Sequence, residues 1–200
     1  MSIPSEPKAS ATSAAPDSGT VSTHGAQVER PAWASTDEMM RNYFDNEWGV
    51  AVTDERGLFE ALSLEVFQSG LSWSTILRKR EAFRAAFANF QPDEVAAFTE
   101  KDVVRLMNDP GIVRNHRKVL ATIQNAGATV ELRTAGGLAE FVWSFAPTDA
   151  NAEAAPGPVT RTPESEALAK GLKARGFNFV GPTTMYALMQ AIGMVNGKPG

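Results

Sequence analysis

From about Leu58 to Ile192, apolar positions recur at three- and four-residue spacing, and strand-like alternation never persists. The pattern predicts an all-α chain. Leu58, Leu62, Glu65 and Ser69 share one helical stripe, Phe59, Leu62 and Val66 the next, and Gly70 stops the helix. Ser72 is placed to cap a following helix whose apolar side is Ile76, Leu77, Phe83, Phe87 and Phe90. Pro92 opens a short helix with Asp93 and Glu94 at its positive end. Thr99 and Asp102 have capping-box spacing before Val103 and Val104. Asp109-Pro110-Gly111 breaks the chain before a helix from about Asn115 through Leu120, Ile123 and Ala126. Three more helices are expected: around Gly137 to Phe145, from a Thr162 cap with Pro163 in its first turn, and from Pro182 to Ile192. No internal repeat is present.

Residues 1–28 depart from this pattern. They are rich in Ser, Ala, Pro and Thr, have no apolar period, and predict a disordered tail ahead of one helical domain over 29–200. The tail lacks the apolar core of a signal peptide, and Lys8 is its only strong base before Arg30. No run of 18 apolar residues exists, so no membrane partner is expected and a cytoplasmic location is the default. The net charge of −4 argues against a generic polyanion binder. Bases nonetheless cluster at Arg78, Lys79, Arg80 and Arg84, between Lys101 and Lys118, and at Lys170, Lys173 and Arg175.

Three features carry candidate chemistry. Glu65 is a carboxylate in an apolar helix, with Tyr43, Trp48 and Trp73 close in sequence. An unpaired buried carboxylate is costly, so Glu65 is either a satisfied structural acid or a receptor for a cationic or donor-rich planar ligand. The tryptophans read as core aromatics or as a stacking platform. The stretch Asn108 to Asn115, with helical flanks, reads as a helix-hairpin-helix or as an ordinary turn with a solvated basic face. In the former reading Gly111 brings backbone N–H groups to a phosphate, and Arg114, Arg117 and Lys118 lie beside the strand. With no cysteine and only His116 in the folded part, no metal, disulfide or thiol nucleophile is expected.

Taken together and in order, these pieces resemble the bacterial type I DNA-3-methyladenine glycosylases. The resemblance runs from about Glu29 to Asn196. It is carried by Trp33, Tyr43 to Gly49, Leu58 to Glu60, Leu64-Glu65, Gln68 to Arg80, Asp109 to Arg114, Val142 to Phe145, Arg175 to Thr184, Met189 to Ala191, and Gly193 to Asn196. It implies an all-helical helix-hairpin-helix fold, with the hairpin near 101–120, that flips a damaged base out of double-stranded alkylated DNA. It further implies that Glu65 bonds the methylated purine, that Tyr43, Trp48 and Trp73 line the pocket, and that Gln68, Ser69, Gly70 and Leu71 face the DNA. The implied reaction is monofunctional hydrolysis by a monomer without a cofactor. Related glycosylases place a catalytic Asp beyond the hairpin; here Ala126 to Leu132 offers only Glu131, read as a surface residue.

Two departures stand out. The family's zinc clasp uses Cys where this chain has Pro31, His where it has Phe44 and Lys198, and a final Cys past Gly200. The resemblance therefore implies no zinc, with termini held by apolar packing to which Phe44 contributes. Val66 replaces a small residue after Glu65 and is expected to add bulk beside the pocket. These departures motivate one alternative, a binder of alkylated DNA with little or no excision; a glycosylase of shifted specificity is a further alternative to which the sequence gives no direct support.

Overall fold

A computed structural model describes residues 30–148 and 159–195. The tail at 1–28 and Lys198 lie outside the described residues. Those described form α1 (Glu38–Asn46), α2 (Glu55–Gln68), α3 (Trp73–Ala86), α4 (Pro92–Ala96), α5 (Glu100–Asn108), α6 (His116–Leu132), α7 (Gly137–Trp143), α8 (Pro163–Ala174) and α9 (Pro182–Ala191). Short 3-10 turns occupy Ala32–Ser35, Ala88–Phe90 and Arg133–Ala135, and no strand occurs among the described residues.

Helix starts follow their capping chemistry. The Ser72 hydroxyl accepts from the Thr75 N–H, Asn115 accepts from the Lys118 N–H, and Thr99 with Asp102 closes a capping box. Thr162 caps α8 with Pro163 at the first turn, its reciprocal partner being Ser165. Gly70, just past α2, has φ +83°, a conformation glycine adopts without strain.

Helix α2 is the centre of the core. Leu58, Phe59, Leu62, Leu64, Val66 and Phe67 are all buried, so the helix is apolar nearly all round and is enclosed by α3, α6, α7 and α9. Phe67, Phe83, Phe87 and Phe90 form an aromatic column beside it, with ring centroids 4.7–6.2 Å apart along the series. In α6 the buried face is Val119, Thr122, Ala126 and Thr129, whereas Leu120 points to solvent.

The end of α9 is tied to the α1–α2 connection by backbone alone. The Gly49 N–H donates to the Ala191 carbonyl (3.1 Å) and the Val52 N–H to that of Ile192 (3.3 Å). Gly193 sits against this junction at φ +73°; a Cβ there would lie 2.7 Å from the Gly49 oxygen, so glycine is required on both counts.

Most cations of the first basic cluster are matched by acids. Arg84 and Arg56 both bind the buried Glu60, Arg80 forks onto Glu47, and Arg78 binds Asp37. Arg133 bridges Glu55 and Asp93. These charges serve the fold, which is why the cluster did not translate into a basic face.

Candidate active site

Helices α1, α2 and α3 bring the four expected pocket residues together. Tyr43 lies on α1, and the turn that ends α1 returns Trp48 toward it, the Trp48 N–H donating to the Tyr43 carbonyl (2.9 Å). The Tyr43 and Trp73 rings are 5.4 Å apart at 43°. Glu65 faces the same space from α2. The cavity they line, with Trp33 and Gln68, has a volume of about 650 Å³, within the range of small-molecule sites. From the C-terminal side, Ala187 and Gln190 of α9 complete the wall. A smaller cleft of about 250 Å³ shares Tyr43, Glu65 and Trp73 and carries Arg80 and Glu47 at its edge.

Glu65 is 5 % exposed, and among the described residues its carboxylate has no hydrogen bond or ion pair. Burial alone pushes its pKa up to about 8, which favours the protonated acid near neutral pH. Tyr43 is likewise driven up, first by burial and then by the neighbouring Glu65 and Glu47, and keeps its proton. The Trp73 indole N–H is buried without a partner among the described residues. A cavity with aromatic walls and one unpartnered carboxyl accommodates a planar cation that donates hydrogen bonds.

Val66 corrects an expectation. It is fully buried in the main core and lines neither cavity, because residues adjacent in a helix point about 100° apart. Its bulk bears on α2 packing and not on the pocket.

The loop from Gln68 to Leu71 forms one rim of the cavity and is closed reciprocally. The Leu71 N–H donates to the Gln68 carbonyl (2.7 Å), and the Gln68 amide donates back to the Leu71 carbonyl (2.9 Å). Leu71 is 39 % exposed at its tip, and the Ser69 hydroxyl donates to Val66 O at its base.

Two residues expected to lie beside the DNA strand, Gly111 and Lys118, make their hydrogen bonds within the protein. Lys118 is 6 % exposed, and its ammonium donates to the carbonyls of Phe67 (2.9 Å) and Ser69 (2.7 Å), its pKa lowered by desolvation. It holds the C-terminal end of α2, where the helix dipole favours a cation. The Gly111 N–H is likewise committed, to Asp109 Oδ1 at 2.7 Å, while Lys79 donates to the carbonyls of Pro110 and Gly111. Glycine is needed there because a Cβ would fall 2.9 Å from Asp109 Oδ1 and 3.0 Å from the Ala82 methyl. Arg114, His116 and Arg117 remain exposed, and among the described residues the two arginines make no ion pair. Glu131 is a surface residue, as expected.

Trp33 and Gln190 belong to the cavity although residue pattern alone did not assign them there. Trp33 packs edge-on against Trp48 (5.7 Å) and Phe44 (5.5 Å), so it shapes the aromatic wall. Gln190 is a polar residue inside the apolar run Leu188-Met189-Gln190-Ala191, and that interruption was its legible signal. As for the clasp positions, Phe44 is fully buried and stacks on Trp48 at 5.2 Å and 22°. Among the described residues no cluster of three His, Cys, Asp or Glu could hold a metal, and no helix is long and apolar enough to cross a membrane.

The geometry agrees with what comparison shows. The chain is 47 % identical over 173 residues to DNA-3-methyladenine glycosylase 1 of Escherichia coli (strain K12), spanning 84 % of this chain and 92 % of that protein. It is 39 % identical over 171 residues to DNA-3-methyladenine glycosylase of Haemophilus influenzae, with the same coverage of each. A solved structure describing how the Staphylococcus aureus 3-methyladenine DNA glycosylase I recognises 3-methyladenine superposes with a TM-score of 0.78. That protein is 36 % identical, with 84 % of this chain and 91 % of that one covered. Residues 33–199, which hold Tyr43, Trp48, Glu65 and Trp73, match the methyladenine glycosylase family, and the chain belongs to that family.

Proposed function

We propose that this protein excises 3-methyladenine from alkylated double-stranded DNA by flipping the base into the Tyr43–Glu65–Trp73 cavity and releasing it hydrolytically. The observation that supports this best is the Glu65 carboxyl, buried among aromatic rings without a partner among the described residues.

The chemistry divides between substrate and protein. N3-methylation makes the nucleoside a cation, so its glycosidic bond is already weak. The protein supplies extrusion, a fitted pocket and electrostatic selection. Entry of a cationic purine favours ionised Glu65, which then accepts from the purine N–H groups. Neutral adenine offers no such gain and leaves a costly buried charge, so the same group selects against it. The faces of Trp48, Trp73 and Tyr43 attract the positive ring. Among the described residues Glu65 is the only carboxyl lining the larger cavity, which fits attack by water on a labile centre with little further general-base help. Among the described residues no lysine lines that cavity, and Lys118 is engaged with backbone carbonyls, which fits hydrolysis without a lyase step.

The Gln68–Leu71 loop lies at the rim, where it would meet the gap left by the nucleotide, with Arg114 and Arg117 contacting phosphates beyond it. The turn between α5 and α6 would act as the hairpin, positioning α6 and not donating through Gly111. Of the two departures behind a binding-only reading, the bulk of Val66 no longer bears on the site. Release of 3-methyladenine from methylated duplex, with unmethylated duplex as control, tests the reading. Duplex binding without base release would establish the binding-only alternative.

A further inference from the structure

The turn between α8 and α9 holds Phe179 in an unusual way. Its neighbours Phe177 and Val180 are buried at 2 % and 0 %, while Phe179 is 39 % exposed and has φ +59°, a left-handed conformation disfavoured for a bulky side chain. The turn cannot relax, because α6 grips it on both sides. The Asn178 N–H donates to Asn125 Oδ1 (2.8 Å), and the Asn125 amide donates to the Asn178 carbonyl (3.1 Å). Gln124 donates to the Gly176 carbonyl and accepts from the Asn178 amide. Asn125 is itself fully buried, so a core polar group is spent on presenting this turn.

What lies beside the ring identifies the partner. The Arg117 guanidinium stands 6.0 Å from the Phe179 centroid and has no acid among the described residues. The next residue, Lys118, is bonded to Ser69 in the loop at the cavity rim. Beyond Phe179, α9 runs on to Ala187 and Gln190 in the cavity wall. Phe179, Arg117 and the 68–71 loop are thus linked through short, rigid connections. An exposed aromatic ring with an unpaired guanidinium suits an unstacked nucleotide and its phosphate.

We propose that Phe179 and Arg117 form a second DNA-contacting element, in which Phe179 stacks on a nucleotide surface opened when the lesion leaves the duplex and Arg117 meets the adjoining phosphate. This rests on the reading of the protein as a base-flipping glycosylase.

The test uses the full chain and three measurements: anisotropy with duplex carrying a stable abasic analogue, anisotropy with intact duplex, and affinity for free 3-methyladenine. Phe179→Ala is expected to weaken abasic-duplex binding by roughly five- to a hundredfold, the range for loss of one aromatic–base stack, with a smaller effect on intact duplex. Phe179→Gly should lose as much binding yet melt no lower than Phe179→Ala, because glycine takes the left-handed backbone freely. Arg117→Ala should weaken both duplexes and lower the log–log salt slope by about one. Free-base affinity should match the parent in all three variants. Abasic-duplex affinity within twofold of the parent for Phe179→Ala, or an equal loss on both duplexes, would overturn the proposal. So would a parallel fall in free-base affinity, which would make the turn a support for α9. Absence of base release by the parent, with these binding effects intact, would count against the glycosylase reading alone.

Discussion

The Lys118 ammonium reaches across 49 residues of sequence to the Ser69 carbonyl, 2.7 Å away, and so fastens the start of α6 to the loop at the cavity rim. The same ammonium bonds the Phe67 carbonyl, the pair occupying the negative end of α2. A basic residue in the first turn of α6 is thus a strut inside the protein.

Lys118→Met tests that role. It removes both bonds and leaves two largely buried carbonyls short of a donor, a cost of roughly 2–4 kcal/mol. Chemical denaturation should show that loss, and hydrogen exchange should show faster exchange at 68–71. The salt slope of duplex binding should stay at the parent value. A slope reduced by about one, with stability unchanged, would return Lys118 to the phosphate backbone.

Arg114→Ala should do the opposite. Arg114 is exposed and unpaired among the described residues, so its loss should leave melting unchanged, weaken duplex binding at low salt and flatten the slope by about one. Titrations at several salt concentrations decide; an unaltered slope would make Arg114 a solvated surface charge.

Glu65 couples the site to pH. Its pKa is about 8 in the fold against an ordinary 4.5, so between those values the native state holds a proton that the unfolded chain has lost. Native stability therefore falls as pH rises through that window, by roughly 1.4 kcal/mol per unit at most. Glu65→Gln should flatten this decline, melt higher than the parent at pH 9, and lose its preference for 3-methyladenine over adenine. Denaturation at pH 5, 7 and 9 measures the first effect and base titration the second. Parallel pH profiles for parent and variant would remove Glu65 as the buried acid.

Phe44 stands at a clasp position and fills the space between Trp33 and Trp48. Phe44→Ala should cost about 3–5 kcal/mol and loosen the Trp48 wall, weakening base binding as well as stability. Strong chelators should change neither melting nor activity of the parent. About one zinc per chain by elemental analysis would contradict that expectation.

The local chemistry of the chain was legible from the sequence. Ser72, Thr99 and Thr162 start helices because capping depends on residues three positions apart, Pro92 starts one because its fixed φ suits a first helical position, and Gly70 ends one because left-handed backbone favours glycine. Glu65 and its aromatic neighbours could be singled out because an acid in an apolar helical run is costly wherever it falls. Family membership followed from the order of such pieces along the chain. Tertiary structure alone decided how each charge is spent. Arg80 and Lys118 look alike in sequence to Arg114, but a long side chain reaches any acid or carbonyl that packing brings near. Glu47 lies 33 residues from Arg80, and Ser69 lies 49 from Lys118. The direction of Val66, the entry of Gln190 into the cavity wall and the outward hold on Phe179 depend in the same way on contacts between distant segments. Helical spacing states which residues share a face, and packing of one helix on another decides what that face meets.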